Sequence, residues 1–116
     1  MKLQKSVNEL KQIQKEFDIV HQGNIPFYEE ITEKNIEALE HLIVCTLGEL
    51  GEFANIVKKI KRGDFTLAEK KDELSEEITD VFIYLLKISN QMNIDLEKEY
   101  FKKMEINKSK FKKFLK

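Results

Sequence analysis

Apolar residues recur at helical spacing along almost the whole chain, and four helices account for them. Leu3, Val7, Leu10, Ile13, Phe17 and Val20 set a first helix from about Leu3 to Val20. The stretch His21 to Tyr28, with Gly23 and Pro26 inside it, breaks that helix and forms the longest loop. A second helix spans roughly Thr32 to Lys61 and a third Leu67 to Gln91. Between them, Gly63 suits the left-handed residue that closes a helix, and Thr66-Leu67-Ala68-Glu69 reads as a capping box. Asn93 can end the third helix in the left-handed region, and Asp95 can cap a fourth that runs to Phe114. So short a connection makes the second and third helices antiparallel neighbours. The pattern predicts an all-α fold, a four-helix bundle filling residues 1–116 as one domain.

The second and third helices are apolar on more than one face. Ile43, Leu47, Leu50 and Ala54 lie off the main stripe of the second, and Val81-Phe82-Ile83-Tyr84-Leu85-Leu86 leaves the third almost no polar side. A helix in a small monomeric bundle keeps a solvated face. The surplus predicts a homodimer, or a dimer of dimers making a homotetramer, with these two helices in the interface. The competing explanation is a central helix covered by loop 21–28. Gly48 and Gly51, both in mid-helix, imply close approach of a neighbouring helix or a bulky ligand.

Four acidic residues break the apolar stripes. At roughly 100° per residue, Glu49 and Glu52 fall on the stripe of Ala38, Leu42, Cys45, Phe53, Ile56 and Ile60, and Glu77 and Asp80 on that of Val81, Tyr84 and Ile88. Glu52 precedes Arg62 by ten residues and Glu77 follows Leu67 by ten, so the two pairs stand level on facing helices. Ionised carboxylates do not converge on a core stripe without a counter-charge. A hard divalent cation, which takes oxygen ligands, supplies one.

Composition narrows the field further. Charged residues are 35% and hydrophobic ones 41% of 116, with one Pro and four Gly, which suits helices better than sheet. A net charge of −1 does not point to nucleic acid, although Lys102 to Lys116 is rich in lysine. The single cysteine, Cys45, reads as a small buried hydrophobe, and no apolar run is long enough to span a bilayer. A cytoplasmic protein is expected. A carboxylate-bridged di-iron bundle needs Glu-x-x-His pairs, and neither His21 nor His41 stands three residues after a Glu.

Leu47-Gly48-Glu49-Leu50-Gly51-Glu52-Phe53-Ala54, followed by Glu76-Glu77-Ile78-Thr79-Asp80-Val81, resembles the ExxE and ExxD motifs of the MazG-like all-α nucleotide pyrophosphohydrolases. The gap of 24 residues between Glu52 and Glu77 is similar to the family's. Lys103-Met104-Glu105-Ile106-Asn107-Lys108-Ser109-Lys110 resembles its KxxxNxx[RK] signature, and Lys103 and Asn107 share a stripe with Leu96, Tyr100, Phe111 and Phe114 that is expected to face the carboxylates. The likeness covers about residues 38–111.

The resemblance implies hydrolysis of a nucleoside triphosphate between the α and β phosphates, giving a monophosphate and pyrophosphate, in the manner of enzymes that clear modified or surplus nucleotides. It implies Mg²⁺, with Mn²⁺ as a substitute, held by Glu49, Glu52, Glu77 and Asp80, one of which (or Glu76) serves as general base. Lys103 would neutralise phosphate, Asn107 would hydrogen-bond phosphate or sugar, and Lys110 would grip the polyphosphate from the rim. His41 can edge a base pocket, though a lone histidine there is more often structural. Phosphoribosyl-ATP and a dUTP- or dCTP-type substrate are alternatives within the superfamily. Outside it, the rival is a non-catalytic regulatory or binding dimer of helices.

Overall fold

The structure, a computed structural model, describes residues 4–116 and holds four α-helices and no β-strand among them. α1 runs Val7–Ile19, α2 Ile36–Arg62, α3 Leu67–Gln91 and α4 Leu96–Lys110. Single 3₁₀ turns precede α2, at Glu33–Asn35, and follow α4, at Lys112–Phe114. The fold is all-α, as the pattern predicts.

α1 starts later than the apolar spacing alone implies, because Ser6 and Glu9 form a reciprocal capping box that fixes its first turn. Leu3, placed in that helix by the sequence pattern, lies outside the described residues. α2 also starts late: Thr32 caps the 3₁₀ turn instead, and the Asn35 side chain accepts from the Thr32 amide and donates to the Glu30 carbonyl. At the other end, Gly63 sits at φ +94° and its amide closes the helix on Ile60. Thr66 and Glu69 then open α3 with the expected box. Asn93, at φ +55°, ends the α3–α4 corner, and Asp95 accepts from the Lys98 amide to begin α4.

The α2–α3 hairpin is the spine. α1 packs on α3, and the packing partner of α4 is α1. Among the described residues, Leu42, Leu74 and Leu86 are the buried apolar ones, few for a chain of this length. Much of what should be core is exposed, including Leu47, Leu50 and Leu85 on the hairpin and Phe101 and Phe114 in the C-terminal part. The chain is correspondingly open. Its radius of gyration is 17.4 Å, against roughly 13 Å for a compact domain of this length.

What ties α1 and the following loop to α3 is polar. Asp18, 1% exposed, meets the Lys87 ammonium at 3.0 Å and also accepts from Gln14. Lys87 and Gln91 both donate to the Phe27 carbonyl, and the Ile31 amide donates to the Gln91 carbonyl. Phe17, His21 and Phe27 stack in series, with ring centroids 4.1 and 5.6 Å apart. Asn90 adds a bond to the Lys11 carbonyl.

A buried ion is far more costly alone than paired, and breaking such a pair loses about 3–5 kcal/mol. Lys87→Ala is therefore expected to destabilise the protein by about that amount, while the neutral pair Asp18→Asn with Lys87→Gln recovers most of it. Urea unfolding of the three proteins checks this.

Candidate metal and phosphate site

Glu49 and Glu52 reach into the α2–α3 groove from successive turns of α2, and Glu77 reaches in from α3. One oxygen from each lies within 4.8 Å of the other two. Glu49 and Glu77 are half-buried and Glu52 is exposed, so the cluster opens to solvent at one side. The level placement expected from the residue count is what this convergence needs. Asp80, half-buried one turn further along α3, stands outside the triplet.

Glu77 bears the strain of this arrangement. Its carboxyl is pushed up from the usual 4.5 to about 7, first through its hydrogen bond with Glu49, then through shielding from water, then through Glu52 and the two neighbouring charges. Its Oε2 is closed off from solvent and has no partner. An oxygen-only donor set with one orphaned oxygen fits a hard cation such as Mg²⁺. Beside it, a Cβ added at Gly48 or Gly51 would meet nothing within 4 Å. Among the described residues no neighbouring helix closes on those glycines, and the space beside them stays open.

The stripe continues away from the carboxylates. Cys45 is half-buried, and its Sγ lies 3.6 Å from His41 Nε2. Tyr84, one turn beyond Asp80, has its hydroxyl pKa raised by burial and next by Cys45, with Glu49 and Asp80 adding to the effect. His41 and Tyr84 then help to line a mostly apolar cavity of about 170 Å³. Ile25, Pro26 and Phe27 of the loop cover it, Leu42 forms part of its wall, and Lys87 supplies a charge. Lys87 and Asp18 carry no sequence signal of their own, since their partnership joins residues 69 apart.

The C-terminal residues sit differently from the sequence expectation. Lys103 and Lys110 are exposed and Asn107 half-buried, on a helix that leans on α1 and not on the α2–α3 groove. Their stripe was expected to face the carboxylates. Within one chain α4 packs on α1 instead, and Tyr100, with Phe111 just past the helix end, stays exposed.

A family model described as the MazG nucleotide pyrophosphohydrolase domain matches residues 29–112. That span takes in α2, α3 and α4, with all four acidic residues and Lys103 to Lys110, and leaves out α1. The chain is also similar to the Gene 37 protein of Mycobacterium phage L5, 40% identical over 63 residues, which cover 52% of this chain and 54% of the phage protein. The match thus spans about half the length of that relative, whose name states no activity. No solved structure matches. No helix among the described residues is long and apolar enough to cross a membrane.

The raised Glu77 pKa has a signed consequence. Between pH 4.5 and about 7 the native state holds a proton that the unfolded chain has released, so stability falls as pH rises through that window. In chelator, the melting temperature should drop from pH 5 to pH 7.5, and Glu77→Gln should flatten the drop and melt higher at pH 7.5. Added Mg²⁺ should restore the wild type most at the upper end, where the ligands are ionised. Thermal melts in EDTA and in Mg²⁺ across this range read all three effects.

Proposed function

The chain belongs to the MazG nucleotide pyrophosphohydrolase family, and we propose that it hydrolyses a nucleoside triphosphate to a nucleoside monophosphate and pyrophosphate. The observation that carries the proposal is the convergence of Glu49, Glu52 and Glu77 from two helices on one point, with an orphaned oxygen among them. Structural residues at that place would be leucines.

Glu49, Glu52 and Glu77 would hold Mg²⁺, or Mn²⁺ in its place, with Asp80 as a further ligand on the next turn. The metal supplies Lewis-acid polarisation of phosphoryl oxygens and a more acidic water. In the reaction, the water oxygen bonds to the α phosphorus, the bond from that phosphorus to the αβ-bridging oxygen breaks, and the pyrophosphate departs with the electron pair. A carboxylate of the cluster, or Glu76 beside it, takes the water's proton. Lys103 neutralises phosphate charge, Asn107 hydrogen-bonds phosphate or sugar, and Lys110 contributes from the rim.

Those three residues reach the carboxylates only if the chain assembles. The exposed surface is 9314 Å², against roughly 6,600 Å² for a compact monomer of this mass. The excess is of the size that obligate dimers cover. In the assembly proposed, Leu47, Leu50, Phe82 and Leu85 of the hairpin meet a second copy, and the basic α4 of one copy lies over the acidic groove of the other.

Two measurements test this. Glu49→Ala and Glu77→Ala should each lower turnover on the order of 10²–10³-fold, and in ¹⁸O water the label should enter the monophosphate and not the pyrophosphate. Full activity in Glu49→Ala would leave the helical binding module as the better reading. Sedimentation equilibrium should give at least a dimer, and mixing inactive Glu49→Ala with inactive Lys103→Ala should recover activity if the two groups act across copies.

A further inference from the structure

We propose that His41 and Cys45 form a chelating pair for a thiophilic divalent cation, zinc above all, on α2 beside the carboxylate cluster and separate from it. Glu49, Glu52 and Glu77 offer oxygen alone. This pair offers nitrogen and sulfur.

Geometry is the first argument. His41 and Cys45 stand four residues apart on one helix, so their side chains share a face. Cys45 Sγ lies 3.6 Å from His41 Nε2. Zinc bonds thiolate sulfur at ~2.3 Å and imidazole nitrogen at ~2.0–2.1 Å, in a tetrahedral shell. Those lengths and angles put the two donor atoms of a shared ion about 3.6 Å apart. The pair already spans one edge of such a shell, and a rigid helix holds both ends of it. Binding therefore needs little rearrangement.

The surroundings supply the second. The Tyr84 hydroxyl, whose proton is held by burial and then by its hydrogen bond with Cys45, reaches the same sulfur from α3. A donor at that place orients a metal-bound sulfur. Glu49 follows Cys45 by one turn and Asp80 precedes Tyr84 by one, so negative charge lies alongside and attracts a dication. His41 is exposed and Cys45 half-buried, which gives an ion from solvent a way in. On binding, the S–H bond of Cys45 breaks, its proton passes to solvent and the sulfur bonds to the metal, with no change of oxidation state. Waters complete the shell.

Thiolate and imidazole suit zinc, and carboxylates suit magnesium and manganese. Successive turns of α2 thus sort two classes of cation. Cys45 and Glu49 are about 6 Å apart along the helix axis, and two dications that close repel each other. Zinc on the pair should therefore weaken magnesium on the carboxylates. That coupling, read as inhibition, rests on the pyrophosphohydrolase reading, whereas the chelating pair itself does not.

Titration of the full chain with Co²⁺, a coloured stand-in for zinc, tests the proposal without turnover, under a phosphine reductant and with Mg²⁺ in excess to occupy the carboxylates. The wild type should develop a sulfur-to-metal charge-transfer band at one ion per chain, and Zn²⁺ should bleach it. Cys45→Ser should abolish the band. His41→Ala should weaken its formation by at least the ~10-fold that losing an outer partner of a metal ligand costs. Glu77→Gln should keep it. In the wild type, a pH indicator should record proton release as Zn²⁺ binds. No charge-transfer band, a band that His41→Ala forms as readily, or one that Glu77→Gln loses would each overturn the pair; a thiol–imidazole hydrogen bond with no metal affinity gives the first of these. Pyrophosphate release from nucleoside triphosphates is read separately. Zinc inhibition that Cys45→Ser relieves would support the coupling, and equal inhibition of both proteins would overturn it. No pyrophosphate release at all, beside an intact charge-transfer band, would sink the catalytic reading and leave the chelating pair standing.

Discussion

Like charges brought within a few ångströms of one another favour a shared proton or a bound cation, and this chain folds so that three carboxylates meet. Glu77 meets Glu49 and Glu52 with one oxygen unpartnered, and its pKa rises to about 7 in answer. Near neutral pH the site therefore stands between two states, protonated without metal and ionised with it. A cation binding there is linked both to proton release and to folding. The same residues that cost stability in the bare protein would favour a bound divalent cation.

The register of one hairpin makes that possible. Gly63 at positive φ turns the chain out of α2, and the Thr66–Glu69 box starts α3 four residues later. Adding or removing one residue here would rotate Glu77 off the face that Glu49 and Glu52 share, by roughly 100°. The connection is therefore as much part of the site as the carboxylates. It also carries little apolar burial of its own, since Leu74 is the one buried leucine in the first half of α3.

How far the sequence discloses this depends on whether the signal is local. The α3 limits, Leu67 and Gln91, are legible because a capping box opens the helix and Asn93 turns the chain just past its end. The carboxylate convergence is legible because equal residue counts on either side of a short turn convert directly to equal heights. The late start of α1 was also written locally, in Ser6-Val7-Asn8-Glu9, but apolar spacing points past it to Leu3. The Asp18–Lys87 pair and the cavity beside it were not legible. A lysine in an apolar run reads as a solvated position until the fold brings a buried aspartate to it. The C-terminal helix shows the opposite limit: its stripe correctly marks an apolar face, but periodicity does not say whether that face is covered by its own chain.

The exposed apolar surface connects these points. Leu47, Leu50 and Leu85 crowd the same hairpin that holds the carboxylates, and Tyr100, Phe101 and Phe111 crowd the helix that carries Lys103 and Asn107. One chain satisfies the polar ties of α1 and the loop but leaves both apolar sets in water, with a surface well above that of a compact monomer. The hydrophobic gain still to be made is large, and the complementary charge of an acidic groove and a lysine-rich helix sets its direction. Association would then bury apolar faces and bring cations to carboxylates in one step. Stability, phosphate neutralisation and catalytic competence would rise together with protein concentration, so a dilute chain would be both less stable and less active.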